Sequence, residues 1–176
     1  MKAFFAAAAA VLAAGCAATS AAPEPEAAGH DHAAAVFEKF RGLAGSWKGE
    51  MGEGEHRHAM TVDYRVTGGG SAVEETLFRG TPHEMVTLYH LDGPRMLLTH
   101  YCAAGNQPTM VLVPGDDAAK PRFEFLRATN LPDPNAGHMH RASFDFTESG
   151  RLRTRWTFFH EGKAGEEAVI DVKRAE

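Results

Sequence analysis

The strongest indication of the fold lies between residues 138 and 160, which read HMHRASFDFTESGRLRTRWTFFH. After the turn Glu148-Ser149-Gly150, even-numbered side chains that suit a core alternate with arginines at odd positions. Before the turn, Ala142, Phe144 and Phe146 alternate with polar residues in the same way. A period of two is typical of a strand with one buried face, and a short polar turn with Gly joins two such strands. The stretch therefore predicts an antiparallel hairpin whose even-numbered side chains face a core.

The same alternation recurs through the rest of the chain, with turn residues between the segments and no helical spacing. Strands are predicted at residues 47–51, 55–66, 71–79, 84–91, 95–102, 108–113, 122–128, 138–147, 151–160 and 166–174. About ten strands without intervening helices predict an all-β, antiparallel up-and-down barrel, because closure removes exposed strand edges. Ahead of them, Val36, Phe37, Phe40 and Leu43 have helical spacing and predict a short N-terminal helix.

The N-terminus predicts export from the cytoplasm. Met1-Lys2 precedes an apolar run from Ala3 to Ala14, which is too short to span a bilayer and is typical of a secretory signal. The run ends in Leu12-Ala13-Ala14-Gly15-Cys16, which resembles a bacterial lipobox. This resemblance implies that residues 1–16 are a signal peptide and that Cys16 is lipidated. The alternative is ordinary cleavage within Ala17 to Ala22, which gives a soluble secreted product.

Residues 17–35 are mostly Ala, Pro, Glu and Gly, which predicts a flexible tether ahead of a barrel domain at 36–176. We therefore expect a protein of the periplasm or outer membrane that contacts the membrane through its lipid anchor alone. With Cys16 lipidated or removed, Cys102 is the remaining thiol and cannot form an intramolecular disulfide. The formal net charge of −5 argues against nucleic acid as a partner.

A short helix followed by Gly45-Ser46-Trp47 at the start of about ten antiparallel strands resembles the calycin superfamily. This superfamily comprises lipocalins, fatty-acid-binding proteins and nitrobindin-type haem barrels. The stretches His83 to Gly93, Leu98 to Cys102 and Gly105 to Pro108 are also similar to uncharacterised bacterial lipocalin-like proteins. The resemblance implies a ligand-binding barrel whose closed end lies at Gly45-x-Trp47.

Histidines concentrate at one predicted pole of the barrel. In an up-and-down barrel, even-numbered strands start and odd-numbered strands end at the same pole, which here is opposite Gly45-x-Trp47 and so forms the open mouth. Parity places several of these imidazoles on the inner face, and pairing Phe146 with Leu152 sets His138 opposite His160. The histidines at this pole are His56, His58, His83, His100, His138, His140 and His160, whereas His90 lies at the other pole.

Three of these histidines predict a metal site. His138, His140 and His160 are candidate ligands for a transition metal such as zinc, copper or iron, because His-x-His on a strand puts both rings on one face. The nitrobindin resemblance implies haem instead. The chain departs from that family at Gly49-Glu50-Met51-Gly52 and has no histidine in the strand 166–174, so a transition metal is favoured over haem. The alternative is a half-wet rim of hydrogen-bonded histidines.

The function predicted from these patterns is binding of a small apolar or amphipathic ligand at the mouth. One alternative is a metal- or haem-dependent barrel with redox or hydrolytic activity, and another is a non-catalytic interaction module of the envelope. No catalytic residue is identified, and one of Glu74 and Glu75 must face inward, most simply paired with Arg or His. The predicted ligand-binding residues are Tyr64, His100, Cys102, Asn106, Gln107, Asn130 and Trp156.

Overall fold

Within residues 25–176, ten antiparallel strands pair in sequence order, and the first pairs with the last, so that the sheet closes into a barrel. The computed structural model describes residues 25–176, with side chains from residue 29 onward. The predicted all-β up-and-down barrel with one N-terminal helix is confirmed. The predicted signal peptide, its lipidation site at Cys16 and residues 17–24 of the predicted tether lie outside the described residues.

Each predicted strand has a counterpart in the structure, with small differences at the ends. In the described part of the chain, the helices are α1 (Pro25–Arg41) and a single 3-10 turn, η1 (Gly68–Gly70). The strands are β1 (Gly45–Met51), β2 (His58–Thr67), β3 (Ala72–Leu77), β4 (Met85–Asp92), β5 (Arg95–Tyr101), β6 (Gln107–Leu112), β7 (Arg122–Thr129), β8 (His138–Asp145), β9 (Arg151–His160) and β10 (Lys163–Arg174).

The helix α1 packs on the end of the barrel where the odd-numbered strands begin. Its buried side chains follow helical spacing and form one apolar stripe. They are Ala33, Val36, Phe37 and Phe40. The ring centroid of Phe40 lies 4.4 Å from that of Tyr89, 6.0 Å from that of Phe123 and 4.8 Å from that of Phe144. Burying an aromatic ring fully stabilises a fold by about 1.5–3 kcal/mol. The helix therefore closes this end of the barrel.

This helix begins earlier than the sequence predicts, which corrects the boundary of the tether. Residues 25–35, assigned to the flexible segment, belong to α1, and Ala33 is buried. Alanine has the highest helix propensity, and Pro25 occupies the first helical position, where proline is favoured. An Ala-rich segment can be a tether in isolation, but it becomes a helix when one face packs on a barrel.

Among residues 25–176, no helix combines the length and the apolar character needed to cross a membrane.

In β2, β5 and β9, the side chains that alternation places on the inner face line the lumen. Met60, Val62 and Tyr64 of β2 are buried, as are alternate residues of β5 and β9. In β5 these are Met96, Leu98 and His100, and in β9 they are Leu152, Thr154 and Trp156. Period-two patterning alone therefore identifies most of the lumen. The exception is β8, whose pairing with β9 shifts between Met139 and Arg141.

Closure of the barrel between β1 and β10 depends on a glycine. Gly49 pairs with Val172, and a Cβ atom at Gly49 would lie 2.0 Å from the carbonyl oxygen of Asp171. No real Cβ atom tolerates such a contact, so any other residue would push the two strands apart. The glycine therefore permits the close approach of backbones that closes the sheet.

Arg174 of the last strand joins the barrel to the end of the helix. Its guanidinium donates to the carbonyl oxygens of Gly42 at 2.7 Å and Ala44 at 2.8 Å, just beyond α1. The same group lies 4.5 Å from the ring centroid of Trp47, whose Nε1 donates to the carbonyl oxygen of Leu43 at 2.8 Å. Carbonyl groups at a helix end lack intrahelical partners, and Arg174 and Trp47 supply them from the two closing strands.

We expect Arg174→Ala to lower the free energy of unfolding by about 1–2 kcal/mol, because it removes two charge-assisted hydrogen bonds and the contact with the indole. Urea denaturation measures this loss. Arg174→Lys should recover only part of it, since an ammonium group lacks the planar fork that reaches both carbonyls. Lys173→Ala, at an exposed neighbour, is the control and should change stability by less than about 0.5 kcal/mol. Equal effects of the two alanine substitutions would contradict this role of Arg174.

Candidate functional site

The end of the barrel opposite α1 contains a pocket, which we call the mouth pocket. Its volume is about 580 Å³, and it is lined by Ala104, Gly137, Phe158, His160, Gly165 and Glu166. These residues come from the β5–β6 loop, the approach to β8, the end of β9 and the start of β10. A Cβ atom at Gly137 would lie 2.6 Å from Cζ of Phe158, so this glycine lets the Phe158 ring pack against backbone. The pocket is therefore largely apolar, with His160 and Glu166 as its polar members.

Deeper in the lumen, a row of polar side chains crosses four neighbouring strands. The strand register pairs Tyr64 with Glu75, Glu75 with Thr87, and Thr87 with His100. All four side chains are buried. We call this set the interior polar row. Two of its members, Tyr64 and His100, are predicted ligand-binding residues, and the structure brings them onto one inner belt.

Glu75 is the acidic centre of this row. The hydroxyls of Tyr64 and Tyr89 donate to its two carboxylate oxygens, each at 2.7 Å. Burial raises the pKa of Glu75, while hydrogen bonds from Tyr89, Tyr64 and Thr87 oppose that rise. Burial, reinforced by the nearby Glu75 charge, also raises the pKa of both tyrosines well above its ordinary value. Both phenols therefore stay protonated and act as donors.

These contacts show that the predicted partner of the inward glutamate was wrong. Glu75 is inward and is held by two tyrosines, not by an arginine or a histidine. Glu74 faces outward and pairs with Arg65 at 2.7 Å. Hydroxyl donors satisfy a buried carboxylate without bringing a second full charge into the lumen, which would add its own desolvation cost.

His100 lies in the lumen, as its parity predicts. Its Nδ1 is 2.9 Å from the hydroxyl oxygen of Thr87, and its ring centroid is 5.1 Å from that of Trp156 across the barrel. Burial lowers the pKa of His100 from 6.5 to about 4. The imidazole is therefore neutral at neutral pH, with one nitrogen protonated and the other free to accept a hydrogen bond.

Four buried polar side-chain atoms of the barrel strands and mouth loops have no hydrogen-bond partner among the described residues. They are Nε2 of His100, Nε1 of Trp156, the hydroxyl of Thr154 and Oδ1 of Asn106. A buried polar atom left unpaired costs about 1–3 kcal/mol, so native proteins usually pair such atoms with protein, water or a ligand. Thr154 and Trp156 occupy successive inward positions of β9. These atoms therefore leave unused hydrogen-bonding capacity inside the barrel.

The predicted register of β8 and β9 is correct near the turn and wrong at the mouth. Phe144 pairs with Thr154, as the hairpin prediction requires, but a bulge lies between Met139 and Arg141. The extra residue shifts the pairing by one, so that His138 stands opposite Phe159 instead of His160. A one-residue shift moves a side chain to the other face of a strand. His138 and His160 are therefore not neighbours inside one rim.

The bulge places His138 and His140 in a cluster with two phenylalanines. His140 stacks between Phe125 and Phe159, with ring centroids 4.9 and 4.8 Å away. Nε2 of His138 lies 3.1 Å from Nδ1 of His140, and Nδ1 of His138 lies 2.8 Å from the carbonyl oxygen of Ala136. The cluster fills the region where β7 and β8, which pair only from Arg122 to Glu124, diverge. The two imidazoles thus serve as packed, hydrogen-bonded aromatics.

The three candidate metal ligands are not brought together. His160 is exposed at the mouth and its ring lies beside Phe158, whereas His138 and His140 belong to the aromatic cluster. Within residues 25–176, no group of three or more His, Cys, Asp or Glu side chains has the proximity that a metal ion requires. His56, His58 and His83 are exposed at the same pole, and His90 lies beside the β4–β5 turn.

The remaining predicted ligand-binding residues lie on or beside the mouth loops, where most of them hold backbone. Nδ2 of Asn106 donates to the carbonyl oxygen of Gly137 at 2.8 Å and so fixes the β5–β6 loop against β8. Gln107 and Asn130 both donate to the carbonyl oxygen of Gly105. Cys102 is a free, half-buried thiol whose sulfur accepts from the amide of Ala104 at 3.5 Å. These side chains position Ala104 and Gly137 in the pocket wall.

Several site residues escape the sequence prediction. Thr87 and Tyr89 alternate with outward residues in β4, and Thr154 belongs to the best-patterned strand, so parity could have identified all three. Phe125 and Phe159 carry no such signal, because their role depends on the bulge in β8. Gly137 precedes a predicted strand, and nothing in the sequence separates it from an ordinary loop glycine.

No model of a known protein family matches the chain, and a search of curated proteins finds no significant match.

The lowered pKa of His100 predicts a specific loss of stability in acid. His100 takes up a proton near pH 6.5 in the unfolded chain but only near pH 4 in the folded protein. The contribution of the neutral imidazole to the free energy of unfolding is therefore fully present above pH 6.5 and is lost as the pH falls from 6.5 to about 4. Relative to His100→Asn, the wild type should lose about 2–3 kcal/mol between about pH 7.5 and about pH 4.5. Urea denaturation at each pH measures the difference.

Two comparisons isolate His100 in this experiment. Glu75, with a raised pKa, changes stability in the opposite sense over the acid range, but it is present in both proteins and cancels from the difference. His56→Asn removes an exposed histidine at the same pole and should leave the pH dependence of the wild type unchanged. The same pH dependence in wild type and His100→Asn would exclude a buried neutral imidazole.

Proposed function

We propose that this protein is a calycin-type barrel that binds a small apolar or amphipathic molecule through its mouth. The mouth pocket is the observation that carries the proposal. Its volume of about 580 Å³ falls within the range of small-molecule sites, and its lining is mostly apolar with a few polar groups. Ligand sites in small barrels characteristically occupy the open end, and α1 closes the other end here.

Two features of the lumen support a binding role. Phe158 lines the mouth pocket, and Trp156, the side chain two residues before it on the same strand, is buried in the lumen. Near Trp156 lie the unpaired polar atoms of His100 and Thr154. An apolar entrance above a few polar groups suits a ligand with an apolar body and one polar end.

The calycin assignment rests on architecture. The chain combines one N-terminal helix, Gly45-x-Trp47 opening the first strand and a closed antiparallel barrel of ten strands. We further propose that the barrel is exported and held at the cell envelope by a lipid on Cys16, as the apolar run and the lipobox-like end of residues 1–16 suggest. Ligand binding would then occur outside the cytoplasm.

Binding can be tested with N-phenyl-1-naphthylamine, an uncharged apolar fluorophore whose emission rises in apolar sites. We expect saturable binding to the wild-type protein. Ala104→Trp places a large ring in the mouth pocket from an exposed loop position and should weaken binding at least about tenfold, roughly 1.4 kcal/mol. Fluorescence titration gives both dissociation constants.

The neighbouring residue supplies a matched control. Ala103 is exposed in the same loop but does not line the pocket, so Ala103→Trp should bind the fluorophore as the wild type does. Circular dichroism checks that both variants keep the β-sheet spectrum. No saturable binding to the wild type, or equal effects of the two substitutions, would refute a ligand site at the mouth pocket.

The anchoring proposal has a separate test. Expressed in a bacterium with its full N-terminus, the wild-type protein should incorporate labelled palmitate and fractionate with membranes. Cys16→Ala should abolish both, since it removes the thiol that would carry the lipid. Cys102→Ala removes the other cysteine and should change neither. An unmodified wild-type product that begins after Cys16 would contradict the proposal.

A further inference from the structure

The unpaired atoms beneath the mouth pocket differ in their hydrogen-bonding capacity. Trp156 offers an indole N–H, which can only donate. Nδ1 of His100 lies 2.9 Å from the hydroxyl oxygen of Thr87, and either of the two can be the donor. In a neutral imidazole Nε2 has the role opposite to that of Nδ1, so Nε2 of His100 accepts in one tautomer and donates in the other.

Two unpaired nitrogens, of which the indole nitrogen is a donor, therefore lie side by side without bonding each other. The rings of His100 and Trp156 are in contact, at 5.1 Å between centroids, yet Nε2 of His100 and Nε1 of Trp156 both lack a partner among the described residues. The Thr154 hydroxyl, on the inward position next to Trp156, can donate or accept. A third chemical group is needed to satisfy all three.

From this arrangement we infer that the lumen binds an uncharged polar end of the ligand that both donates and accepts hydrogen bonds, such as a hydroxyl or a carboxamide. The inference rests on the proposed function and specifies its ligand. The polar end accepts from Nε1 of Trp156 and bonds Nε2 of His100 as donor or acceptor according to the tautomer, which is why it must be able to do both, while Thr154 bonds whichever atom remains. The apolar body of the ligand extends toward Phe158 and the mouth pocket.

The length of this path suits such a molecule. Phe158 and Trp156 are successive inward residues of β9, and residues two apart on a strand are separated by about 7 Å. Phe158 lines the mouth pocket and Trp156 contacts His100. A tail of several methylene groups is long enough to cover this distance.

The charges of the lumen exclude ionic ends. Among residues 29–176, no lysine or arginine is buried, so a carboxylate would be desolvated without a cation and would lie on the same belt as Glu75. An ammonium group cannot accept from Trp156, and both oxygens of Glu75 already accept from tyrosines. A neutral donor–acceptor group satisfies the site without either cost.

Three ligands with the same tail test the inference. Displacement of N-phenyl-1-naphthylamine from the full-length protein is measured at neutral pH with 1-decanol, decanoate and decylammonium. We expect decanol to bind at least about tenfold more tightly than either ion. Trp156→Phe keeps an aromatic ring but removes the N–H, and Thr154→Val keeps the shape but removes the hydroxyl. Each should weaken decanol binding about tenfold while the fluorophore still binds.

The same strand provides the control. Thr157 faces outward, so Thr157→Val should leave decanol binding and the preference over the two ions unchanged. Equal affinities for the three ligands, or decanol binding unaffected by Trp156→Phe and Thr154→Val, would overturn the inference and indicate that water satisfies these atoms. The proposed function would stand in that case. Failure of the fluorophore to bind the wild-type protein would overturn both.

Discussion

Pairing of β1 with β10 is the constraint on which the rest of the structure depends. A closed sheet has an inside and an outside for every strand, so alternation commits half of the side chains to the lumen. The closure needs glycine at position 49, where a Cβ atom would lie 2.0 Å from a carbonyl oxygen. Arg174 and Trp47 then attach the end of α1 to the two closing strands. The helix covers one end of the lumen, and access is left at the other.

Inside the barrel, apolar and polar regions are separated along the axis. Near α1, the rings of Phe40, Tyr89, Phe123 and Phe144 pack against each other and fill the lumen. Toward the mouth, the interior polar row satisfies a buried carboxylate with two phenols and leaves atoms of His100, Thr154 and Trp156 unpaired. In a medium of low dielectric such atoms bind strongly to a matching group and reject a mismatched one. This arrangement is the basis of the proposal that a neutral polar end binds beneath an apolar entrance.

The histidines of the open pole show why residue type and position along the barrel are insufficient to define a site. Their side chains occupy three different environments. His100 is buried in the lumen, His138 and His140 pack with Phe125 and Phe159, and His160 is exposed at the pocket rim. Imidazole serves equally as a polar lumen group, an aromatic packing element and a solvated surface residue. Membership of one pole consequently does not make these residues one functional unit.

The sequence by itself determined the strand order, the closed barrel and most of the inner face, because period-two alternation is a local property that each strand carries independently. It also placed His100, Trp156 and Tyr64 in the lumen. Tertiary structure alone decided the bulge in β8, which reverses the face of His138, and the helical state of residues 25–35, which depends on packing against the barrel. It likewise decided that Glu75 meets Tyr64 and Tyr89, since contacts across strands depend on register and on the diameter of the closed sheet. Such contacts join residues distant in the chain, and no local pattern encodes them.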